Sequence, residues 1–193
     1  MEKQQRENPK HLLPVVLAVP INLRTFFPSE TLRNFITTIR PAIDPRWGNY
    51  TFDEVVHQVC HFMKLHINRQ ELRAGFTGNV RFQNHPLLRW IPIVLKNPVM
   101  LFSYWLVGVR PYSMTYTNPG PFRVPPEMEP HLHHMEVILG QSLLPKVNCA
   151  SMSFGNQMEI TFAGTQKETD TERDFFRFLR KGGLPVRVES NRS

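Results

Sequence analysis

Cysteine is nearly absent, with only Cys60 and Cys149 in 193 residues. They form no CxxC pair, which excludes a disulfide framework and a thiolate metal knuckle and suits a reducing, cytoplasmic setting. Glycine is also scarce, at 10 residues against 17 prolines, so many connections are stiff. No Gly-rich phosphate loop of the P-loop or dinucleotide type occurs. Nor is there a long uninterrupted apolar run. Arg89, Pro92, Lys96 and Pro98 break the most lipid-like stretch, Pro86 to Val109, and the uncharged part from Asn97 to Val109 is too short to span a bilayer, so no transmembrane segment is expected. A secretory signal is missing too: Met1 to His11 is polar, and Pro14 and Pro20 interrupt the apolar segment behind it. No dense Lys/Arg block or nucleic-acid motif accompanies the net charge of +7. That charge therefore implies a general preference for anions, such as acidic lipid or coenzyme phosphates, and no specific nucleic-acid partner.

What is present reads as one ordinary globular domain, with 41% apolar and 20% charged residues, over 12–193 behind a polar leader of residues 1–11. Leu13 to Ile21 and Phe35 to Ile39 are Val-, Ile- and Thr-rich and read as strands. A loop with Pro41, Pro45 and Gly48 follows. Thr51 with Glu54 three residues on forms a capping box, and Phe52, Val55, Val56, Val59, Phe62, Met63 and Ile67 recur at helical spacing behind it. Pro86 to Val109 reads as two short buried helices or a helical hairpin; the alternative is a surface that lies on a membrane or grips an acyl chain through Trp90, Met100, Phe102, Tyr104 and Trp105. Ser113 to Thr117 is a further strand, ended by Asn118-Pro119-Gly120-Pro121. Lys146 to Phe154 and Gln157 to Ala163 make a hairpin around Gly155-Asn156. Thr169 and Glu172 suggest a second capping box on a helix carrying Phe175, Phe176, Phe178 and Leu179, stopped by Gly182-Gly183, and Leu184 to Val188 reads as a last strand. The expected fold class is α+β, a mixed sheet with helices packed on it.

Three clusters invite chemistry. Asp53, His57 and His61 recur at i, i+4 and i+8 with Cys60 nearby, but successive turns point such side chains in parallel, so a solvated face is the expectation and no metal site is assigned. His133-His134 lacks the poised partner that a general base needs. Cys60 and Cys149 stand in no nucleophile motif and read as buried thiols.

The stretch Val19-Pro20-Ile21-Asn22-Leu23-Arg24-Thr25-Phe26-Phe27-Pro28, continuing to Arg33-Asn34-Phe35, resembles the entry to the second lobe of alcohol acetyltransferases. These belong to the superfamily of chloramphenicol acetyltransferases and peptide-synthetase condensation domains. The resemblance continues through Thr51-Phe52-Asp53-Glu54, the apolar segments from Pro86 to Gly108, and Met114-Thr115-Tyr116-Thr117-Asn118-Pro119-Gly120. The last piece is similar to the family's Ser-Asn-x-Gly run, with Thr117 in place of Ser. Phe175-Phe176-Arg177-Phe178-Leu179 and the Gly-x-Pro-x-x-Val-x-Ser-Asn pattern from Gly183 to Asn191 also fit.

The resemblance implies one lobe of a two-lobed fold and a chemistry that this lobe does not complete. The family's general-base motif, His-His-x-x-x-Asp-Gly, is not matched here, since Ile138 and Leu139 stand where His133-His134 would require Asp and Gly. No catalytic residue is therefore assigned. Arg24 and Asn34 are implied as active-site support, Arg24 by pairing with the Asp of the first-lobe motif, and Asn118 and Gly120 as lining the acceptor channel; each also has a plain reading as a strand-end or turn residue. The implied reaction is direct transfer from acyl-coenzyme A to an alcohol or amine, with no bound cofactor or metal and no activity without a first lobe, which either a partner chain supplies or a truncated remnant has lost. The alternative is a non-catalytic interaction or hydrophobic-ligand-binding module; a lobe that normally closes against another anticipates self-association through an exposed apolar patch, and a stably monomeric chain would favour the module.

Overall fold

The computed structural model describes residues 12–83, 92–105, 112–140, 147–165 and 167–191; the polar leader lies outside them. Six strands form one mixed sheet: β1 (Val15–Asn22), β2 (Ile36–Ile39), β3 (Ala42–Ile43), β4 (Met114–Thr117), β5 (Val147–Phe154) and β6 (Gln157–Gly164). Their order is β2-β1-β4-β5-β6, with β3 also on β1. β1, β4 and β5 run parallel, whereas β2, β3 and β6 run antiparallel to their neighbours.

β2 and β3 are one run on β1. Val19 faces Ile39 and Val15 faces Ile43 in a single unbroken register. The break between them is chemical: Leu17 donates its amide to Pro41 O at 3.0 Å, but Pro41 has no N–H to return. At the other end of β1, Leu23 N donates to Phe35 O at 3.0 Å, so residues 24–34 form the loop of a long hairpin. The β5–β6 hairpin turns at Gly155-Asn156, with Gly155 at φ +57° and no non-glycine residue at positive φ among the described residues. This matches a turn whose glycine occupies the first central position.

Side-chain alternation gives the sheet two different faces. Tyr116, Cys149 and Phe162 are aligned across β4, β5 and β6. Phe162 meets Phe175 and Phe176 of the final helix, Asp170–Lys181, with ring centroids at 5.3 and 5.7 Å, and those two rings lie 5.4 Å apart. Such aromatic pairs are worth about 0.5–1.5 kcal/mol each beyond the area they bury. Two helices, α1 (Phe52–His66) and α2 (Arg69–Gln83), cover the same face over β2, where Phe62 and Leu72 line a cleft with Thr37 and Ile39. A short helix, α3 (Ile93–Ser103), comes next in the chain, making the final helix α4. Phe52 at the start of α1 reaches Phe178 of α4, centroid to centroid 5.0 Å.

The other face is covered differently over β5 and β6. An extended segment, 132–140, crosses it: Thr161 Oγ1 donates to Val137 O at 2.5 Å and Asn148 Nδ2 to Gly140 O at 2.9 Å. β5 is therefore covered on both sides, with Asn148 through Met152 all buried. The core is small. Ala18, Leu23, Ile43, Leu72, Cys149, Ala150 and Met152 are its buried apolar members among the described residues.

The first capping box forms as expected, with Thr51 Oγ1 accepting from Glu54 N and a Glu54 carboxylate oxygen accepting from Thr51 N at 2.7 Å. The second does not. Thr169 has ψ 24°, outside the extended region an N-cap needs, and makes no capping hydrogen bond; Arg173 pairs instead with Asp170 at 2.7 Å along the helix surface. Leu184 to Val188 is not a strand either. Gly183 at φ +84° lets Leu184 N donate back to Leu179 O and Gly183 N to Arg180 O, a Schellman close, after which Pro185 lacks a donor and Leu184 and Val188 stay exposed. The buried helices expected within Pro86 to Val109 are corrected as well: residues 84–91 and 106–111 lie outside the described residues, and α3 with its flank exposes every residue from Asn97 to Trp105. On α1, Phe52 and Val56 of the expected core face are exposed at 61% and 40%, while Val55, Val59, Phe62 and Met63 are half-buried.

Candidate functional site

The loop from Arg24 to Asn34 is built from short polar side chains that bond their own backbone. Asn22 Oδ1 accepts from Arg24 N at 3.1 Å and starts a single 3-10 turn, Leu23–Thr25. Ser29 Oγ accepts from Thr31 N at 3.3 Å, and Thr31 Oγ1 from Arg33 N at 3.2 Å. These are local turns of the kind Asn, Ser and Thr favour over sheet pairing. Arg24 then closes the loop: its Nη2 donates to both Thr31 O and Arg33 O at 2.7 Å. The guanidinium is exposed, with Nη2 engaged, and it braces the backbone that leads to Asn34, itself exposed. Two aromatic contacts pin the loop to α2, with Phe35 edge-on to Phe76 at 5.8 Å and Arg69 over the ring of Phe27 at 5.6 Å.

Asn118 and Gly120 follow β4. Asn118 Oδ1 accepts from Gly120 N at 2.8 Å, and Gly120 takes φ +85°, a conformation that disfavours any side chain. The chain then runs beside the end of β5, where Ser153 N donates to Gly120 O at 3.4 Å and Phe122 N to Ser153 O at 2.8 Å. Because β1 and β4 are adjacent and parallel, Arg24 and Asn34 on one connection and Asn118 and Gly120 on the next all stand at the same end of the sheet. That end lies outside the carboxyl ends of parallel strands, where open sheets with such strands receive ligands.

The other sequence candidates lie elsewhere. Asp53, His57, Cys60 and His61 sit exposed on α1, so Cys60 lies on the wet side of the helix and is not the buried thiol expected. No group of three His, Cys, Asp or Glu side chains is placed to hold a metal ion among the described residues. His133 and His134 are exposed at the start of the segment that crosses β5 and β6, with His134 Nε2 3.4 Å from Glu136 Oε1. Cys149 is buried, and desolvation pushes its thiol up to about 11, away from the thiolate a nucleophile requires. Two depressions mark the described surface: one of about 260 Å³ between β2 and the helices α1 and α2, and one of about 430 Å³ between Arg180 and the tail at Leu184 to Arg187. Neither is lined by Arg24, Asn34, Asn118 or Gly120.

Sequence reading passed over the carbonyls of Thr31 and Arg33 as the acceptors of Arg24, and over Phe27 and Phe35 as the loop's anchors. The clustered Ser-x-Thr-x-Arg spacing was the available signal for the first. Nothing in the sequence pairs Phe35 with Phe76 across 41 positions.

No protein-family model matches this sequence, and neither a curated protein nor a solved structure is similar to it.

Proposed function

We propose that this chain is the second-lobe half of an acyl-coenzyme A dependent O- or N-acyltransferase, related to alcohol acetyltransferases and working in the cytoplasm. The observation that carries this reading is the convergence of Arg24, Asn34, Asn118 and Gly120 at one end of the sheet. They come from motifs 84 or more positions apart in sequence, counted from Asn34 to Asn118.

In this reading Arg24 positions the loop through its two backbone bonds, and a carboxylate of a facing lobe approaches its outer edge. The turn at Asn118 and Gly120 forms part of the acceptor wall, where the missing side chain of Gly120 lets a substrate approach the backbone. A histidine of the complementary lobe removes the proton from the acceptor hydroxyl or amine, the acceptor attacks the thioester carbonyl, and coenzyme A leaves as the thiol. Positive net charge favours the coenzyme phosphates.

The test is release of coenzyme A thiol from acetyl-coenzyme A over a panel of alcohols and amines. The chain is assayed alone and with a lobe bearing His-His-x-x-x-Asp-Gly. Turnover is expected only with both lobes, and loss of most of it in Asn118→Ala. Robust turnover by the chain alone overturns the assignment. A second reading, a non-catalytic interaction module, is favoured by the many exposed apolar side chains, among them Leu32, Trp47, Phe52 and Leu101. It predicts hydrophobic-dye binding and no turnover with any lobe.

A further inference from the structure

The helix α3 carries Lys96, Asn97 and Ser103 among a majority of apolar residues, and every side chain from Asn97 through its C-terminal flank to Trp105 is exposed. Val99 is 62% exposed, Leu101 67%, Phe102 63%, Tyr104 65% and Trp105 45%. At 100° per residue these positions circle the axis, so the exposure is not one stripe facing solvent. A flat protein partner or a second copy would cover one side of such a helix and leave the others wet. A lipid phase surrounds it. At 11 residues the helix is too short to cross a bilayer, and no described helix is long and apolar enough to do so.

Charge selects the kind of lipid. From Leu72 to Pro126 the sequence contains no Asp or Glu at all, and it holds Arg73, Arg81, Arg89, Lys96, Arg110 and Arg123. This one stretch, with α3 at its centre, carries six of the chain's seven net positive charges. Tyr104 and Trp105 close the helix with the two side chains that sit best at the level of lipid headgroups.

We propose that α3 docks this protein on the surface of an anionic bilayer, its apolar side chains entering the headgroup boundary and the net positive charge of the stretch that contains it favouring acidic lipid headgroups. The inference is independent of the acyltransferase reading, since it uses none of that site's residues.

The experiment is co-flotation of the full chain with vesicles of phosphatidylcholine alone or with phosphatidylserine added. Binding is expected to the anionic vesicles, with weak binding to the neutral ones and partial loss as salt rises. Leu101→Asp with Phe102→Asp should weaken binding by about tenfold or more, since both side chains leave the apolar phase. Leu101→Ile with Phe102→Leu should keep it. Both positions are exposed, and circular dichroism confirms that each variant is folded. The proposal is overturned if the wild type fails to float with anionic vesicles, or if the aspartate variant floats equally well. It is also overturned if light scattering shows a dimer that the aspartate pair dissolves while vesicles are ignored, which would assign α3 to a second copy.

Discussion

Nη2 of Arg24 lies 2.7 Å from the carbonyl oxygen of Arg33, nine residues away along the hairpin loop. Together with the bond to Thr31 O, this makes Arg24 the brace of residues 24–34. Arg24→Met keeps the aliphatic stem and removes both donors. It is expected to cost about 1–2 kcal/mol, because hydrogen bonds from a charged group contribute 1.5–3 kcal/mol when sheltered and less when exposed. The measurement is the urea midpoint of the isolated chain, set beside turnover of the two-lobed assembly. A role confined to the loop predicts that turnover falls in step with folding; a role opposite a first-lobe carboxylate predicts a drop of orders of magnitude at full folding.

The two thiols should differ sharply in reactivity. Cys60 is exposed, whereas Cys149 is buried in β5 with its pKa pushed up to about 11 by desolvation. Titration with a disulfide reagent at neutral pH should modify Cys60 within the mixing time and Cys149 only as the chain unfolds. Rapid modification of Cys149 in the Cys60→Ser variant under native conditions would show that β5 is not sealed.

Glu54 gives the fold a calculable response to acid. The Thr51 amide, donating to the Glu54 carboxylate, and then the Thr51 hydroxyl hold its pKa below the ordinary glutamate value. A carboxyl whose folded pKa is lowered stabilises the fold above its unfolded value, near 4.3 for a free glutamate, and loses that contribution as pH falls through the folded pKa. The wild type should therefore melt above Glu54→Gln at neutral pH, by a constant margin down to about pH 5, and the margin should close below that. Asp44, lowered mainly by its bond to the Arg46 side chain, is common to both proteins and cancels in the comparison. A margin that persists unchanged into strong acid would remove the carboxylate from the cap.

Much of the sheet was legible because its strands carry local signals. β1, β2, β4 and the β5–β6 hairpin fall within a residue or two of where Val, Ile and Thr content and the Gly155-Asn156 turn place them. α2 was legible and passed over. Asn68 Oδ1 accepts from Gln70 N and Glu71 N at 3.0 and 2.9 Å, and Asn with Glu three residues on is a helix-start signal. Gly75 and Gly78 disguise the segment that follows. Leu184 to Val188 failed for the opposite reason: its composition suits a strand, but a strand needs a neighbour, and composition does not say where one is. At the candidate site, sequence placed Arg24 and Asn118 at strand ends correctly, yet the acceptors of Arg24 are backbone carbonyls, which no side-chain pattern announces.

β4 contributes four residues, aligned at two positions with β1 and three with β5. It is nonetheless the seam that joins a hairpin built near the start of the chain to one built near its end. Ser113 N reaches Val16 O, and Val16 N reaches Ser113 Oγ, across 97 positions, whereas each hairpin closes over a short loop. Loop-closure entropy then sets an order of assembly: the two hairpins zip early, and the parallel seam closes late and slowly. A nascent chain would spend that interval as two halves, each displaying an unpaired strand edge, the kind of edge on which another chain can add a strand before β4 arrives.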